Sequence, residues 1–449
     1  MKTVVIIGGG FSGMLTAERL LNRSAEVSVT VLNTAHPAGK GIAYDTDHSE
    51  YLLNVPAAKM SAFHDQPEHF ITWLRSKPEY AALHQEEFVP RSIFGKYLEK
   101  VFENTLRSAR FQLVNAKATG ITSGNKHDVT LDNGSTVSAD FVVLATGNYL
   151  PARPKGIKSS LDEISGYFPN PWDRAAVSDP GNAETVMLIG TGLTMVDCFL
   201  GLEKNGYSGK ILINSPRGYL PASHTDSGTY PDFYKELNGS DLLSIFRIVR
   251  RHIITAKKQG IPWQAVIDAV RPYAAKIWLD LPMKEKQQFI SHIRHIWGVA
   301  RHRLPPAIHH AISKGIESGK AELLAGRIKE IAAKRDHFEV SIIAKADQKE
   351  IKYTVERIIN CTGPRLNFSE PPDLLIEQLQ KTGFIVPHEL KMGIKASPKG
   401  NIIQSDGKAS LTAFAIGSLL RGVLWETTAV PEIRMQAEKI AKSICSTGS

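Results

Sequence analysis

Short apolar runs and helix-spaced apolar positions alternate at the start of the chain. Residues 4–7 and 27–32 are rich in β-branched side chains, which suits strands buried inside a parallel sheet. Between them, apolar positions recur at helical spacing, at Met14, Leu15, Ala17, Leu20 and Leu21. The pattern predicts a strand, a helix and a second strand.

A glycine-rich turn joins the first predicted strand to the helix. Gly8, Gly10 and Gly13 form a Gly-x-Gly-x-x-Gly motif. In this context the first glycine permits the tight turn, the second lets the backbone approach a pyrophosphate, and the third allows close helix–strand packing. The helix N-terminus adds unpaired N–H groups and a partial positive charge. We therefore predict a dinucleotide-binding turn.

Asn33 stands where this motif usually has an acidic residue that holds a ribose hydroxyl. An Asn side chain can still hydrogen-bond a hydroxyl, but the charge-assisted bond is lost. The departure weakens the role of this one residue and leaves the predicted fold unchanged.

The same pattern recurs in the middle of the chain. Residues 186–189 form a short apolar run, and Gly190-Thr191-Gly192 follows at once. Met195 occupies the third glycine position, so we expect this helix and strand to pack differently. The next predicted strand, 211–215, is followed by Arg217. A basic residue there suits the 2′-phosphate of NADP, and a solvated loop residue is the open alternative.

Each glycine motif is followed by a polar hairpin region and an apolar strand that ends in Thr-Gly. The first copy ends at Thr146-Gly147 and has a hairpin signal at 132–134. The second ends at Thr362-Gly363. The second copy is longer because of a helical stretch, roughly residues 236–318. This long-range repeat predicts two dinucleotide-binding domains.

Composition narrows the class of protein. The chain has 449 residues, 42% of them hydrophobic and 22% charged, which is ordinary globular composition. It has only three cysteines, Cys198, Cys361 and Cys445, and none forms a Cys-x-x-Cys pair. This usage excludes a disulfide scaffold and fits a reducing cytoplasm.

Charge and hydropathy restrict the partners. The net charge of +9 favours anionic ligands. No basic run with interleaved aromatics indicates nucleic-acid binding, and no window offers the roughly 20 apolar residues of a membrane helix. We therefore expect a soluble, cytoplasmic protein that acts on a small molecule and binds neither nucleic acid nor membrane. A homodimer stays open as the assembly.

The motifs resemble those of flavoproteins that have one FAD-binding and one NAD(P)-binding domain. Flavin-containing monooxygenases, N-hydroxylating monooxygenases and pyridine nucleotide–disulfide reductases share this plan, and the chain is most similar to a bacterial FAD/NAD(P)-binding family. The similarity is carried by the segments 39–44, 51–61, 88–95, 301–306 and 425–427. It implies an α/β fold with two Rossmann-like domains, FAD and NADP (or NAD) as cofactors, and a helical insert in the second domain.

The resemblance also implies the site residues. The FAD contacts would be Gly8, Gly10, Phe11, Ser12, Gly13, Asn33, Lys40, Gly41, Met60, Ser61, Arg91, Thr146, Gly147, Gly417, Trp425, Glu426 and Thr427. The nicotinamide dinucleotide contacts would be Gly190, Gly192, Leu193, Thr194, Arg217 and Gly363. Ser418 stands where an acidic residue usually follows the last FAD glycine, so the ribityl contact departs from the pattern.

The predicted domains are discontinuous. Residues 1–180 and 366–449 form the predicted FAD-binding domain, and residues 181–235 and 319–365 form the NAD(P)-binding domain. Residues 236–318 form the predicted insert, a substrate cap.

The residues expected near a flavin limit the reaction that the protein can catalyse. Cys198 and Cys361 each stand alone in the sequence, so dithiol chemistry is excluded. Hydride transfer from NAD(P)H remains, with a monooxygenase-like reaction as our interpretation. An NAD(P)H:acceptor reductase without oxygen insertion and a non-catalytic redox sensor are the alternatives. Asn54 is predicted as a catalytic polar contact at the flavin face, or else as a loop Asn that caps backbone groups.

The insert contains aromatic, histidine and arginine residues whose roles stay open. Its aromatics are predicted to be mainly helix core, and His292 and His295 lack the carboxylate or Cys partners of a metal site. Arg301 and Arg303 bind an anion or are solvated. Asp197 is expected to favour a helix N-terminus. Glu426 faces either the flavin or the start of the last helix.

Overall fold

The computed structural model describes residues 1–154, 156–157, 161, 165–178, 181 and 183–447. Two large sheets and a small antiparallel sheet carry helices on their faces, so the predicted α/β class is confirmed. The strands are β1 (Lys2–Ile7), β2 (Val27–Leu32), β3 (Phe111–Val114), β4 (Ala118–Ser123), β5 (His127–Leu131), β6 (Thr136–Ala139), β7 (Phe141–Leu144), β8 (Tyr167–Phe168), β9 (Thr185–Ile189), β10 (Lys210–Ser215), β11 (Ala321–Ala333), β12 (Phe338–Ala344), β13 (Glu350–Val355), β14 (Arg357–Asn360), β15 (Asn401–Ile403) and β16 (Ala409–Ala415).

The helices lie between and after these strands. They are α1 (Phe11–Arg23), α2 (Gly41–Tyr44), α3 (His69–Arg75), α4 (Arg91–Arg107), α5 (Ala175–Ser178), α6 (Leu193–Lys204), α7 (Tyr234–Leu237), α8 (Leu242–Lys258), α9 (Trp263–Val270), α10 (Ala274–Asp280), α11 (Met283–Gln288), α12 (Arg294–Arg301), α13 (Pro306–Glu317), α14 (Leu374–Lys381), α15 (Arg421–Leu424) and α16 (Val430–Ser446). Short 3₁₀ turns cover Ala57–Lys59, Pro78–Tyr80, Arg271–Tyr273 and Gly417–Leu420, and Phe289–Ile293 forms a π-helical turn between α11 and α12.

The first sheet combines strands from both ends of the chain, in the order β15-β16-β7-β1-β2-β3. Strand β1 pairs in parallel with β2 and with β7. Its side chains alternate between two cores: Val4 and Ile6 pack on one face, and Val5 and Ile7 on the other. Burial on both faces explains why the run has no polar residue.

The second sheet repeats this arrangement, in the order β13-β12-β11-β10-β9-β14-β8. Strand β9 pairs in parallel with β10 and β14, as β1 does with β2 and β7. Val186 and Leu188 pack on one face, and Met187 and Ile189 on the other. The long-range repeat read from the sequence is therefore a repeat of structure.

Helices α7 to α13 connect β10 to β11. Ile308 and Ile312 of α13 pack into the core of the second sheet, so this helix covers the sheet directly. The preceding helices extend toward the C-terminal part of the first domain, where the indole N–H of Trp278 donates to the Gly422 carbonyl at 3.0 Å. These helices therefore lie against both domains, where a substrate cap would lie. The predicted domain boundaries stay a prediction, and β8, which precedes residue 181, pairs within the second sheet.

Among the helices of the described residues, none combines the length and the apolar character needed to cross a bilayer.

Candidate active site

The first glycine turn is sterically tight. Gly8 has a φ of +112°, and a Cβ at this position would lie 2.2 Å from the carbonyl oxygen of Ala145. A Cβ at Gly13 would lie 1.9 Å from the carbonyl oxygen of Gly8. Both positions therefore need glycine, because any side chain would collide with backbone atoms.

Gly10 serves a different purpose, because the space beside it is open. The nearest atom to a Cβ built there is the Cα of Gly41, at 3.7 Å. Gly10 is the N-cap of α1 and no side chain caps the helix, so the first backbone N–H groups lack a protein acceptor. Phe11, Ser12 and Gly13 supply these groups. The arrangement fits a phosphate group of FAD.

The second turn has the same geometry. Gly190 has a φ of +119°, and a Cβ there would lie 2.3 Å from the carbonyl oxygen of Cys361. Nothing lies within 4 Å of a Cβ built on Gly192, which is the uncapped N-cap of α6. In each copy the turn glycine thus packs on the residue before the Thr-Gly pair, and the second glycine of the motif borders open space.

Met195 replaces the third glycine of the second copy. Its side chain is fully buried in the core that α6 shares with the second sheet. At the equivalent Gly13 a single added carbon would collide with the backbone. Helix α6 therefore packs differently on its strand, as the sequence predicted, while Leu193 and Thr194 still form its first turn.

Basic side chains lie beyond the end of β10. Arg217 is part-exposed and donates to the Ser291 carbonyl at 3.3 Å, and it lies near Arg294 and His295. Burial and these two arginines lower the pKa of His295 to about 4. The positive charge is therefore concentrated on the two arginines, which is suited to a phosphate group.

Arg91 joins the two domains. Its guanidinium donates to both carboxylate oxygens of Asp197, at 2.7 and 3.1 Å, and to the Leu52 carbonyl. The Arg91 guanidinium thus forms a bidentate ion pair to α6, and its contact to FAD stays a prediction. The helix-dipole role expected for Asp197 is replaced, since its carboxylate faces the other domain. Burial raises the pKa of Asp197, and Arg91 opposes that shift.

Three other predicted FAD contacts are used inside the protein. The Lys40 ammonium pairs with Glu99 at 2.6 Å, and the Asn33 amide donates to the His36 carbonyl at 2.7 Å. The Ser61 hydroxyl is fully buried and donates to the Gln66 carbonyl at 2.6 Å. Each of these donors thus has a partner inside the protein, and their contacts to FAD stay predictions.

Hydrogen bonds between side chains and backbone hold the segments that follow β7 and β16. Thr146 and Gly147 follow β7, and the Ser418 hydroxyl donates to the Gly147 carbonyl. The backbone N–H of Gly417 donates to Gln436 of α16 at 2.8 Å. Ser418 therefore fixes the loop, which is a structural use for the residue that departs from the family pattern.

Asn54 lies in the loop before the first 3₁₀ turn. Its backbone carbonyl interacts with His224 Nε2 at 3.1 Å, and its side-chain amide makes no hydrogen bond to the described residues. Burial lowers the pKa of His224. The backbone of the loop is thus anchored while the amide is free for another partner, and the catalytic role of Asn54 stays a prediction. Met60, further along the loop, is buried core.

The loop between α15 and α16 carries strain and unmatched polar groups. Trp425 has a φ of +63°, which is costly for a bulky residue. Glu426 is 8% exposed and accepts from the Trp297 indole at 2.9 Å. The Thr427 hydroxyl is buried and has no hydrogen-bond partner among the described residues. A buried unpaired hydroxyl next to the predicted flavin position fits a ligand contact.

Arg301 and Arg303 differ sharply although they are two residues apart. Arg303 is buried and fully used: it binds both oxygens of Asp268 and the carbonyls of Ala300 and Gln264. Arg301 is also buried, but its Nε and Nη2 atoms make no hydrogen bond to the described residues. Arg303 is therefore structural, and Arg301 keeps donors for a ligand.

Sequence reasoning placed Arg271 in the predicted substrate cap without a role of its own, and it missed Arg421 and Glu432. Burial lowers the pKa of Arg271 and of Arg421. A signal did exist for Arg421, which is a single charge inside the apolar segment 419–425. A lone charge in such a segment is buried and paired, or it faces a ligand.

Cys198 and Cys361 are neighbours, contrary to the expectation that each stands alone. Their sulfur atoms lie 3.5 Å apart in the core of the second domain. Burial raises the pKa of Cys361 well above its usual range, and Cys198 reinforces the shift. The Cys361 thiol is therefore held in the unreactive protonated form.

The aromatic residues of the insert pack mainly as core. Trp278 and Phe289 form one cluster with Trp425, and these three residues and Trp297 line an apolar cavity of about 280 Å³. No group of His, Cys, Asp or Glu side chains in the described residues could hold a metal ion.

The comparisons with known proteins agree with this architecture. Residues 5–149 match the family described as FAD-NAD(P)-binding. The chain is 26% identical over 295 residues to the nitrosuccinic acid synthase of Aspergillus oryzae, covering 58% of this chain and 41% of that protein. It is 23% identical over 222 residues to the uncharacterised protein YdhS of Escherichia coli, covering 45% and 39%. The chain thus spans about two fifths of these curated relatives.

A solved structure supports the whole fold. The ornithine N-hydroxylase of Kutzneria sp. 744, solved with reduced FAD, NADP⁺ and L-ornithine, superposes with a TM-score of 0.70 at 15% identity and covers all of both chains. The resemblance to two-domain flavoproteins is therefore confirmed, by the family match in the first domain and by the fold throughout.

Proposed function

We propose that the protein is an FAD-dependent monooxygenase that takes hydride from NAD(P)H and acts on a small molecule. The observation that carries the proposal is the pair of glycine turns, one on each sheet, with matching backbone contacts and open space beside Gly10 and Gly192. Two such turns provide for two dinucleotides. The helices from α7 to α12 lie against both domains and supply a cap.

FAD fits the first turn. The uncapped amides at residues 11–13 would bind its pyrophosphate, the Gly10–Gly41 backbone would border it, and Thr427 would offer a hydroxyl. Bound there, FAD supplies the two-electron chemistry that joins NAD(P)H oxidation to oxygen activation.

The second turn would hold NADP. The amides that begin α6 would bind its pyrophosphate, and Arg217 with Arg294 would bind the 2′-phosphate. A guanidinium can form paired, charge-assisted hydrogen bonds to phosphate. We therefore expect NADPH to be preferred to NADH.

The remaining residues would exclude water and orient the acceptor. The aromatic cluster of Trp278, Phe289 and Trp425 lies beside the loop that contains Glu426. A dry, apolar wall limits loss of activated oxygen to solvent. Helix α16 begins after Ala429 without a side-chain cap, so its first amides can stabilise negative charge in the cleft.

The reaction we propose is oxygenation of an amine nitrogen. Two of the proteins compared above are named as an ornithine N-hydroxylase and a nitrosuccinic acid synthase, and both names denote an oxygenated nitrogen. In this reaction R–NH₂, O₂, NAD(P)H and H⁺ give R–NHOH, NAD(P)⁺ and H₂O. One oxygen atom forms the N–O bond and the other leaves as water.

Valine substitutions at open glycines provide the test. A Cβ added at Gly10 or at Gly192 meets no protein atom closer than 3.7 Å, so both variants should fold while their new side chains fill the cofactor space. Gly10→Val should lose FAD, and Gly192→Val should keep FAD but raise the KM for NADPH at least tenfold. Gly124→Val, at an equally open glycine, is the control and should change neither.

The assay is absorbance of the reconstituted flavin, its anaerobic bleaching by NADPH, and mass spectrometry of products formed under ¹⁸O₂. Bleaching without incorporation of ¹⁸O would indicate a reductase instead. A protein that binds no FAD, or whose flavin NADPH does not bleach, would contradict the proposal.

A further inference from the structure

Three arginines meet two glutamates where the insert contacts the C-terminal part of the first domain. We call Arg271, Arg301 and Arg421 the arginine cluster, and it faces Glu426 and Glu432. The arginines come from the turn after α9, the end of α12 and the start of α15. Folding therefore brings together cations from distant parts of the chain, next to the loop that follows α15.

The ion pairs of Arg301 are too long to be hydrogen bonds. Its Nε lies 3.7 Å from an oxygen of Glu426, and its Nη2 lies 3.6 Å from an oxygen of Glu432. The side chain is only 7% exposed, and neither atom has a hydrogen-bond partner among the described residues. Buried donors without acceptors are costly, so this edge of the guanidinium is suited to an incoming anion.

Other buried atoms of the same region are also unmatched. The Nε of Arg421 and one carboxylate oxygen of Glu432 have no hydrogen-bond partner within the described residues. The region thus presents unmatched donors on Arg301 and Arg421 and an unmatched acceptor on Glu432. A ligand with two anionic groups and one cationic or amine group would complement all three.

The balance of charge in this region also favours an anionic ligand. Three guanidinium groups face two carboxylates, and His302 adds no charge near neutral pH because burial and Arg301 lower its pKa to about 4. The nearby Arg303 is neutralised by its own ion pair with Asp268. The arginine cluster and its two glutamates therefore carry one excess positive charge.

This region borders the predicted flavin position. Glu426 precedes Thr427, whose carbonyl accepts a hydrogen bond from Gln436 at 3.1 Å. The same Gln436 side chain accepts from the backbone N–H of Gly417, which follows β16 of the first sheet. The arginine cluster thus lies next to the segment that would contact FAD.

We infer that the substrate is an amino dicarboxylic acid, with its carboxylates bound by Arg301 and Arg421 and its amine directed to Glu432. This inference rests on the proposed function. An amino dicarboxylic acid carries one net negative charge and would reduce the excess positive charge of the region, to which Arg294 also contributes beside Arg421. A diamino acid such as ornithine would increase that excess. The nitrosuccinic acid made by one relative is itself a dicarboxylic acid.

The inferred reaction has the stoichiometry given above for the oxygenation of an amine. The N–O bond forms on the amine of the acidic amino acid, NAD(P)H supplies two electrons, and O₂ supplies the oxygen atom and the water. Both carboxylates are unchanged, so the product stays anionic and can remain on the arginines for a second oxygenation.

The test compares acidic and basic amines on the FAD-loaded protein. L-Aspartate, L-glutamate, L-ornithine and L-lysine are offered with NADPH and ¹⁸O₂, and products are measured by mass. Calorimetry with succinate, which lacks the amine, measures binding without turnover. We expect ¹⁸O incorporation into an acidic amine only, and binding of succinate.

Arg301→Lys is the variant because lysine keeps the charge and removes the two-pronged donor edge. We expect the KM for the acidic amine and the Kd for succinate to rise at least tenfold, with FAD content and the KM for NADPH unchanged. Arg107→Lys, at an exposed arginine of α4, is the matched control. If Arg301→Lys does not fold, Arg301→Met with Glu426→Gln removes both charges together and should show the same loss.

The outcomes separate the two proposals. Loss of FAD binding or of flavin bleaching by NADPH would contradict the monooxygenase itself. Intact bleaching with oxygenation of ornithine or lysine would overturn only the acidic substrate. Absence of succinate binding, or constants unchanged in Arg301→Lys, would also overturn it.

Discussion

The ion pair between Arg91 and Asp197 predicts a measurable coupling between the two domains. Both side chains are mostly buried, with 19% and 12% exposure. Two parallel hydrogen bonds join them at 2.7 and 3.1 Å. Asp197→Asn would keep the shape, remove the negative charge and turn one acceptor into a donor that faces a guanidinium N–H.

The expected cost follows from burial. Removing one partner of a fully buried pair costs about 3–5 kcal/mol, because the other charge stays buried and unpaired. The partial exposure of Arg91 and its remaining bond to the Leu52 carbonyl reduce this cost. We therefore expect Asp197→Asn to lower the free energy of unfolding by about 2–3 kcal/mol.

Urea unfolding followed by tryptophan fluorescence measures this change. The double variant Arg91→Met with Asp197→Leu removes both charges and should recover most of the loss, because an apolar pair needs no compensation. Asp47→Asn is the matched control: it breaks an ion pair with Arg174 in which the side chains are 87% and 82% exposed, and should cost less than about 0.5 kcal/mol.

If Asp197→Asn and Asp47→Asn lower the free energy of unfolding by the same amount, the reasoning is refuted, because burial then does not strengthen the Arg91 pair. If the double variant is no more stable than Asp197→Asn, the loss does not come from an unpaired buried cation.

Three further predictions follow from steric fit and charge. Gly13→Ala should destabilise by about 2 kcal/mol or more, since its Cβ would lie 1.9 Å from the Gly8 oxygen; a wild-type midpoint in urea would contradict it. Arg217→Ala should lower kcat/KM for NADPH at least tenfold and leave that for NADH unchanged, as steady-state kinetics would show. The pKa of His302 is about 4 in the folded protein and about 6.5 in the unfolded chain. Between these pH values only the unfolded chain binds the proton. The free energy of unfolding should therefore fall as the pH drops from 6.5 to 4, by up to about 3 kcal/mol. His302→Phe should flatten that part of the pH profile of unfolding, and an unchanged profile would count against a neutral buried His302.

The fold was predictable because its signals are local. The all-apolar strands β1 and β9 need burial on both faces, and that requirement shows directly in sequence. Gly8, Gly13 and Gly190 are fixed by backbone collisions, so they too are visible in the sequence. What periodicity could not show was the packing partner of each helix, such as α13 against the second sheet, because that depends on contacts across the chain.

The predicted cofactor contacts were harder to read at charged positions. Lys40 and Arg91 lie in the motifs of the resemblance, yet their cations pair with Glu99 and Asp197. A motif places the backbone near a ligand, but its charged side chain can pair with a carboxylate that folding brings close. The carboxylates in question are more than 50 residues away in sequence, so no local pattern reveals the pairing.

Arg301 and Arg303 show most clearly what the sequence cannot reveal about a buried arginine. Both are basic, both end the same helical region and both are buried, so the sequence treats them alike. The structure separates them by their acceptors: Arg303 has Asp268 and two carbonyls within hydrogen-bond reach, whereas Arg301 has only carboxylates at 3.6 Å and beyond. A folded protein tolerates the cost of unmatched buried donors where a ligand satisfies them. The difference between a structural and a ligand-binding arginine is therefore a difference in unmet hydrogen bonds, and that quantity exists only once the chain has folded.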